Sequence, residues 1–472
     1  MSISNLPTGG SIYGAVLNDH AILAALGPAL HADPYKAPPK APVLYIKPAT
    51  TRVDASVIVS PGGNDGRHAD GLKVSPGGND GRRADGLKVS PGGTAVRPVV
   101  TLPAGADSVE VGATLGLVIG RKATHVAQNE AWAHVAGVVV AADLSLPHAS
   151  YYRPAIREKC FDGALPLGSR VVPVDSLAGL AVRTRVDGAV VAERGFDNLV
   201  RDVPQLLADV TAFMTLAAGD VLLVGVPWQA PQAKTGSTVR VEVDGVDAVE
   251  FALRAADGVA RAVAVDGPPA IFALGLNYAD HAKELAFKAP EKPLVFLKGP
   301  NTLAADGART VRPADATYMH YECELAVRIG EAARGVKRAD AMDHVDAYAV
   351  ADDYAIRDYL ENYYRPNLKV KNRDGCTPLG AWIPAAQVVD PDALALRTLV
   401  NGKQTQSGST RDMIFDIPFL IEYLSEFMTL RPGDIILTGT PEGLADVRPG
   451  DEVVCEIESV GKVSNFIVSE TT

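Results

Sequence analysis

Glu322 and Glu324 stand two residues apart in Met319 to Gly330, Met-His-Tyr-Glu-Cys-Glu-Leu-Ala-Val-Arg-Ile-Gly, a run that alternates toward a strand. Successive strand side chains point to opposite faces, so the two carboxylates share one face. Two like charges buried together are costly unless a cation lies between them. The pair is therefore a candidate site for a hard divalent ion, which prefers oxygen ligands. Asp353, which follows the apolar run Tyr348 to Ala351, is the favoured third carboxylate, with Asp352 competing for the role. A second set lies in Asn277 to Glu284. On a helix, His281 and Glu284 are at i and i+3 and share a face, so the carboxylate can orient the imidazole for proton transfer. The turn Gly275-Leu276-Asn277 before them suits the hinge of a closing lid. Lys371, in the basic cluster Lys369 to Arg373, offers charge to a substrate carboxylate. Leu437-Thr438-Gly439-Thr440-Pro441-Glu442-Gly443 follows an apolar run with a tight, hydroxyl-rich turn whose N–H groups suit the same ligand. Each motif alone also has a structural reading: a solvated strand face, a surface helix pair, a charged loop, a turn.

The elements that must carry these residues occur twice. Tyr151-Tyr152-Arg153-Pro154 matches Tyr363-Tyr364-Arg365-Pro366, and Lys159 and Asp162 fall opposite Lys371 and Asp374. Phe213-Met214-Thr215-Leu216 and Gly225-Val226-Pro227 match Phe427-Met428-Thr429-Leu430 and Gly439-Thr440-Pro441. The register holds across the chain, which divides into residues 1–256, a linker at 257–267, and residues 268–472. Asp143 is the counterpart of Asp353, and Asn18 with His20 pairs with Asn277 and His281 across a two-residue gap. Gly112 and Thr114 stand where the second copy has Glu322 and Glu324, so only the second copy keeps the carboxylate pair. A 15-residue unit beginning Val-Ser-Pro-Gly-Gly-Asn-Asp-Gly at Val59 recurs at Val74 and starts again at Val89. It has too few apolar residues to stack as a solenoid and reads as a surface insertion in the first copy.

Short, turn-bounded apolar runs such as Pro293 to Leu297, Ala347 to Val350, Asp434 to Leu437 and Glu452 to Cys455 read as strands, which gives a β-rich α+β class built of two tandem sandwich or roll modules. Ala279 to Phe287 and Asp416 to Phe427 read as helices. No GxGxxG lies at a strand-to-helix turn, which disfavours a dinucleotide fold. A net charge of -11 offers no footprint for nucleic acid or an anionic membrane, so a small diffusible substrate is the expected partner. No run of 18 apolar residues and no leader-like segment is present. Four cysteines without a CxxC pair fit a reduced, cytoplasmic setting.

In order along the chain, Gly-Leu-Asn-Tyr-Ala-Asp-His-Ala-Lys-Glu from Gly275, Tyr-Glu-Cys-Glu-Leu-Ala-Val-Arg-Ile-Gly from Tyr321, Asp352-Asp353, Lys371 to Asp374 and Thr-Gly-Thr-Pro-Glu-Gly from Thr438 resemble the fumarylacetoacetate hydrolase superfamily over residues 268–472. The resemblance implies Mg²⁺ or Mn²⁺ on Glu322, Glu324 and Asp353. It also implies a proton-moving lid pair in His281 and Glu284, an active-site Lys371, and Gly439 and Thr440 on the substrate carboxylate. The tandem arrangement is similar to two-module members acting in bacterial 4-hydroxyphenylacetate (homoprotocatechuate) breakdown. That likeness implies decarboxylation of 5-oxopent-3-ene-1,2,5-tricarboxylate and isomerisation of 2-hydroxyhepta-2,4-dienedioate. Acylpyruvate hydrolysis or oxaloacetate decarboxylation would use the same groups. A self-associating, non-catalytic scaffold is the reading from outside the enzyme class. The first module is expected to be a metal-free partner of the second.

Overall fold

The computed structural model describes residues 4–55, 97–227, 230–280 and 290–470. His281, Glu284 and the 15-residue repeat lie outside the described residues. Each half is built on a large mixed sheet. In the C-terminal half its strands run Leu294–Lys298, Ile271–Gly275, Ile435–Leu437, Cys323–Ile329, Val345–Asp352, Thr377–Leu379 and Leu303–Ala305. The N-terminal half repeats this order strand for strand, from Val43–Lys47 through Ile12–Val16, Val221–Leu223, Ser108–Ile119, Val135–Ser145 and Leu165–Leu167 to Arg52–Asp54. Cys323–Ile329 is buried along almost all its length. Its apolar run is nearly continuous because a central strand covered on both faces has no solvated side to alternate toward.

A five-stranded sheet accompanies each large one, and here the alternation expected of a half-buried strand does appear. Thr238–Val243 and Glu452–Ile457 both bury every second residue. The helix expected over Asp416 to Phe427 spans Ile417–Ser425. Asp416 caps it by accepting the Phe419 N–H at 3.0 Å, and Ile417, Leu420, Ile421 and Leu424 form its buried stripe. Its counterpart, Val203–Thr211, is capped in the same way by Asp202.

The repeated motifs turn out to hold the halves together. Asp162 accepts the N–H and hydroxyl of Thr429, both at 2.8 Å, and Asp374 receives the same two bonds from Thr215 at 2.9 and 2.5 Å. The Tyr-Tyr-Arg-Pro segments pair through Tyr364 N–H to Tyr151 O at 2.7 Å and Arg365 N–H to Tyr152 O at 2.9 Å. Tyr35 stacks on Tyr363 with centroids 4.8 Å apart. Reciprocal contacts of this kind define an isologous, pseudo-twofold interface, here within one chain. One buried apolar cluster runs through both halves. All four cysteines are free and buried, and among the described residues no helix is long and apolar enough to cross a membrane.

Candidate metal centre

The strand expected from Met319 to Gly330 is broken once. Met319–His320 pairs with Ala355–Ile356, the chain leaves the ladder at Tyr321 and Glu322, and Cys323–Ile329 then pairs antiparallel with Val345–Asp352. At the break Asp352 stands opposite Cys323, and its Oδ1 accepts the Glu322 N–H at 3.0 Å. That bond commits Asp352 to the backbone. Asp353 donates its own N–H to Glu322 O at 2.9 Å and turns its carboxylate to the other side. Oxygens of Glu322, Glu324 and Asp353 consequently lie within 4.8 Å of one another, and all three residues are buried.

Two ammonium groups stand against these three carboxylates. Lys371, on the short helix Leu368–Lys371, places Nζ 2.8 Å from Glu322 Oε2 and 2.9 Å from Asp353 Oδ2. Lys298, ending the strand Leu294–Lys298, reaches Asp353 Oδ1 at 2.5 Å and also donates to Lys371 O. Glu324 accepts the Gly439 N–H at 2.7 Å through Oε2, whereas its buried Oε1 accepts no hydrogen bond from the described residues. Gly439 has φ +88°, and a Cβ there would stand 3.0 Å from Asn277 Cβ, so the turn that aims this N–H requires glycine. The Gly439 N–H, expected to face a substrate carboxylate, is thus taken up by Glu324, because the turn closes over that carboxylate. Thr440 does line the adjoining cavity, together with Phe296, Glu322 and Lys371.

Burial, and then the charges of Asp353 and Glu322, push the Glu324 carboxyl well above the ordinary range. Burial works against the Lys371 ammonium, but Asp353, Glu322 and Glu324 outweigh it and raise its pKa. Three clustered carboxylates, one with an oxygen that has no partner among the described residues, make a set of hard donors that suits a divalent ion.

The corresponding place in the first half is filled differently. A Cβ at Gly112 would lie 2.7 Å from Asp143 O and 2.8 Å from Val226 Cγ1, which leaves no room for a glutamate. Thr114 donates its hydroxyl to Gly225 O at 2.5 Å. Asp143 sits between Lys47 at 2.5 Å and Lys159 at 2.8 Å, and also accepts the Tyr45 hydroxyl at 2.6 Å. Burial raises its pKa, but Lys159 and Lys47 prevail and bring it down to about 2.

Sequence reasoning missed Lys298 and its counterpart Lys47. Their signal was available, since both end an apolar strand at aligned positions. It also missed His320, whose Nε2 accepts from Arg357 at 2.9 Å while Nδ1 lies 3.6 Å from Glu322, and the cavity-lining arginines Arg153, Arg357 and Arg365.

The family model for fumarylacetoacetate (FAA) hydrolase C-terminal matches residues 11–254 and again residues 270–468. The chain belongs to the fumarylacetoacetate hydrolase family. A 4-hydroxyphenylacetate degradation bifunctional isomerase/decarboxylase of Escherichia coli is 44% identical over 468 residues, covering 98% of this chain and 99% of the relative. A mitochondrial oxaloacetate tautomerase of Bos taurus is 40% identical over 193 residues, 40% of this chain and 87% of that protein. Among solved structures, a fumarylpyruvate hydrolase from Pseudomonas aeruginosa in complex with Mn²⁺ and pyruvate is 31% identical, covering 45% of this chain and 96% of that one with a TM-score of 0.41. Within the family, the present chain carries two domain copies and one copy of the three-carboxylate group among its described residues.

Proposed function

We propose that this member of the fumarylacetoacetate hydrolase family is a divalent-metal-dependent decarboxylase and isomerase of 4-hydroxyphenylacetate catabolism. It decarboxylates 5-oxopent-3-ene-1,2,5-tricarboxylate and isomerises 2-hydroxyhepta-2,4-dienedioate at one site in its C-terminal half. The buried group Glu322, Glu324 and Asp353, with Lys371 against it, carries the reading. The identity of 44% with the bifunctional relative, over nearly the full length of both chains, supports the substrate.

Glu322, Glu324 and Asp353 would hold Mg²⁺ or Mn²⁺, which supplies Lewis-acid withdrawal of electrons from a 2-oxo acid. Loss of CO₂ leaves an electron pair on the substrate, and isomerisation moves a proton along the same conjugated system. Both steps need positive charge at the 2-oxo carboxylate end. Lys371 keeps its proton and provides fixed charge there, and Lys298 holds Asp353 in place from behind. Leu276 and Phe296 give the cavity an apolar wall that limits water, and the Thr440 hydroxyl borders the substrate. His281 and Glu284 are the proposed proton-moving pair, and the cytoplasm, where free thiols persist, is the proposed compartment.

The test is CO₂ release from the tricarboxylate and from oxaloacetate, with and without EDTA, in wild type and in Glu324→Gln. Tricarboxylate turnover abolished by EDTA and lowered about 10²-fold to 10³-fold by the substitution is expected. Wild-type-like turnover in the variant would sink the site assignment. Activity confined to oxaloacetate would replace the substrate.

A further inference from the structure

The first module contributes a side chain to the cavity of the second. Arg153 lines the same cavity as Glu322, Lys371 and Thr440, although it belongs to the Tyr-Tyr-Arg-Pro segment of the N-terminal half. Its own second-half counterpart, Arg365, lines that cavity too, as does Arg357. The cavity of the first half, bordered by Asp143, Lys159 and His148, has no arginine on its wall among the described residues. The pseudo-twofold interface is therefore asymmetric in use.

Three features pre-organise the arginines. Backbone bonds from Tyr364 and Arg365 to Tyr151 and Tyr152 fix the two segments edge to edge. Arg153 Nη1 donates to Arg365 O at 2.8 Å, which brings two like-charged side chains to one stretch of wall. The Arg153 guanidinium lies over the Tyr152 ring, 4.6 Å from its centroid, a contact that holds the planar fork in one orientation. Burial, and also the like charge of Arg365, lower the Arg153 pKa, with Tyr152 acting in the opposite direction. Arg365 Nη1 donates to Asn362 Oδ1 at 2.8 Å, which fixes the second guanidinium, and two such partly buried groups on one stretch of wall match a carboxylate in charge.

We propose that Arg153 and Arg365 form a carboxylate subsite built across the module boundary, which binds the distal carboxylate of a 2-oxo dicarboxylate or tricarboxylate whose 2-oxo acid end lies at the Glu322, Glu324 and Asp353 group. The inference rests on the metal-site reading above. It gives the metal-free module a direct part in substrate selection: Arg153 reads the length and charge of the substrate, while the second module supplies the chemistry.

Calorimetric titration of the full-length, Mn²⁺-loaded protein separates the possibilities, with pyruvate probing the 2-oxo acid end alone and 2-oxopimelate carrying a distal carboxylate. Wild type should bind 2-oxopimelate more tightly than pyruvate. Arg153→Met should weaken 2-oxopimelate by roughly 10-fold to 100-fold, the scale of a charge-assisted pair, and leave pyruvate within about 2-fold. Arg153→Lys should fall between, and in turnover the Met variant should raise KM for the tricarboxylate far more than it lowers kcat. Equal weakening of both ligands would mean that Arg153 only braces the interface, and no change in either would remove it from the site; each result overturns the subsite and leaves the metal reading standing. Wild type that takes up no Mn²⁺, or binds neither ligand when loaded, would instead defeat the metal reading.

Discussion

Two adjacent aspartates, Asp352 and Asp353, have the same chemistry and opposite environments. Asp352 accepts the Glu322 N–H, and Asp353 faces two lysines and two glutamates. An asparagine at 352 keeps the accepting oxygen. We expect Asp352→Asn to retain Mn²⁺ affinity within a few-fold, whereas Asp353→Asn loses about 10²-fold or more, as when a charged ligand is withdrawn from a buried ion. Electron paramagnetic resonance of free Mn²⁺ during titration reads both, and the reverse ranking would exchange their roles. Glu324 shows the same dependence on surroundings: one oxygen is fixed by Gly439, and the other has no partner among the described residues.

In the first half, Asp143 ties together three elements, the strands Val43–Lys47 and Val135–Ser145 and the short helix Ile156–Lys159, through Lys47 and Lys159. Asp143→Asn would strand two buried ammonium groups, which typically costs about 3–5 kcal/mol. The sign of its pH dependence follows from its pKa of about 2, below the ordinary value of 3.8. The contribution is full above pH 3.8, declines as pH falls toward 2 and is lost below that; the shift corresponds to about 2 kcal/mol. Urea unfolding of wild type and variant should show a wide gap at pH 7 that narrows between pH 4 and pH 2. A gap constant with pH would mean that the triad does not act through charge.

Across the whole molecule, the two halves have the same strand order and differ in buried charge. The C-terminal pocket sets three clustered carboxylates, Glu322, Glu324 and Asp353, against Lys298 and Lys371, while in the N-terminal pocket Asp143 is clamped between Lys47 and Lys159 and the other carboxylate on the wall, Glu110, is only half-buried. A cation is favoured in the first arrangement and opposed in the second. Elemental analysis of the purified protein should find one divalent ion per chain, and two tightly held ions would contradict the division of labour. The reciprocal bonds of Asp162 with Thr429 and Asp374 with Thr215 give the first half a structural role: each half completes the other's surface.

The glutamate pair, its loss at Gly112 and Thr114, the duplication and the β-rich class were all legible in the order of residues, because side-chain periodicity and repetition are local properties. Asp353 is already favoured there over Asp352, but the different surroundings of the two follow from the register of two strands and the break at Glu322. Lys298 and Lys371 are far apart in the chain and meet only where a strand end and a short helix converge on Asp353. The sequence displayed Tyr-Tyr-Arg-Pro twice without saying what it touches. Only the packing of one half against the other brings Arg153 to a cavity of the second half, across 212 positions to Arg365, because side chains so distant along the chain become neighbours through tertiary packing alone.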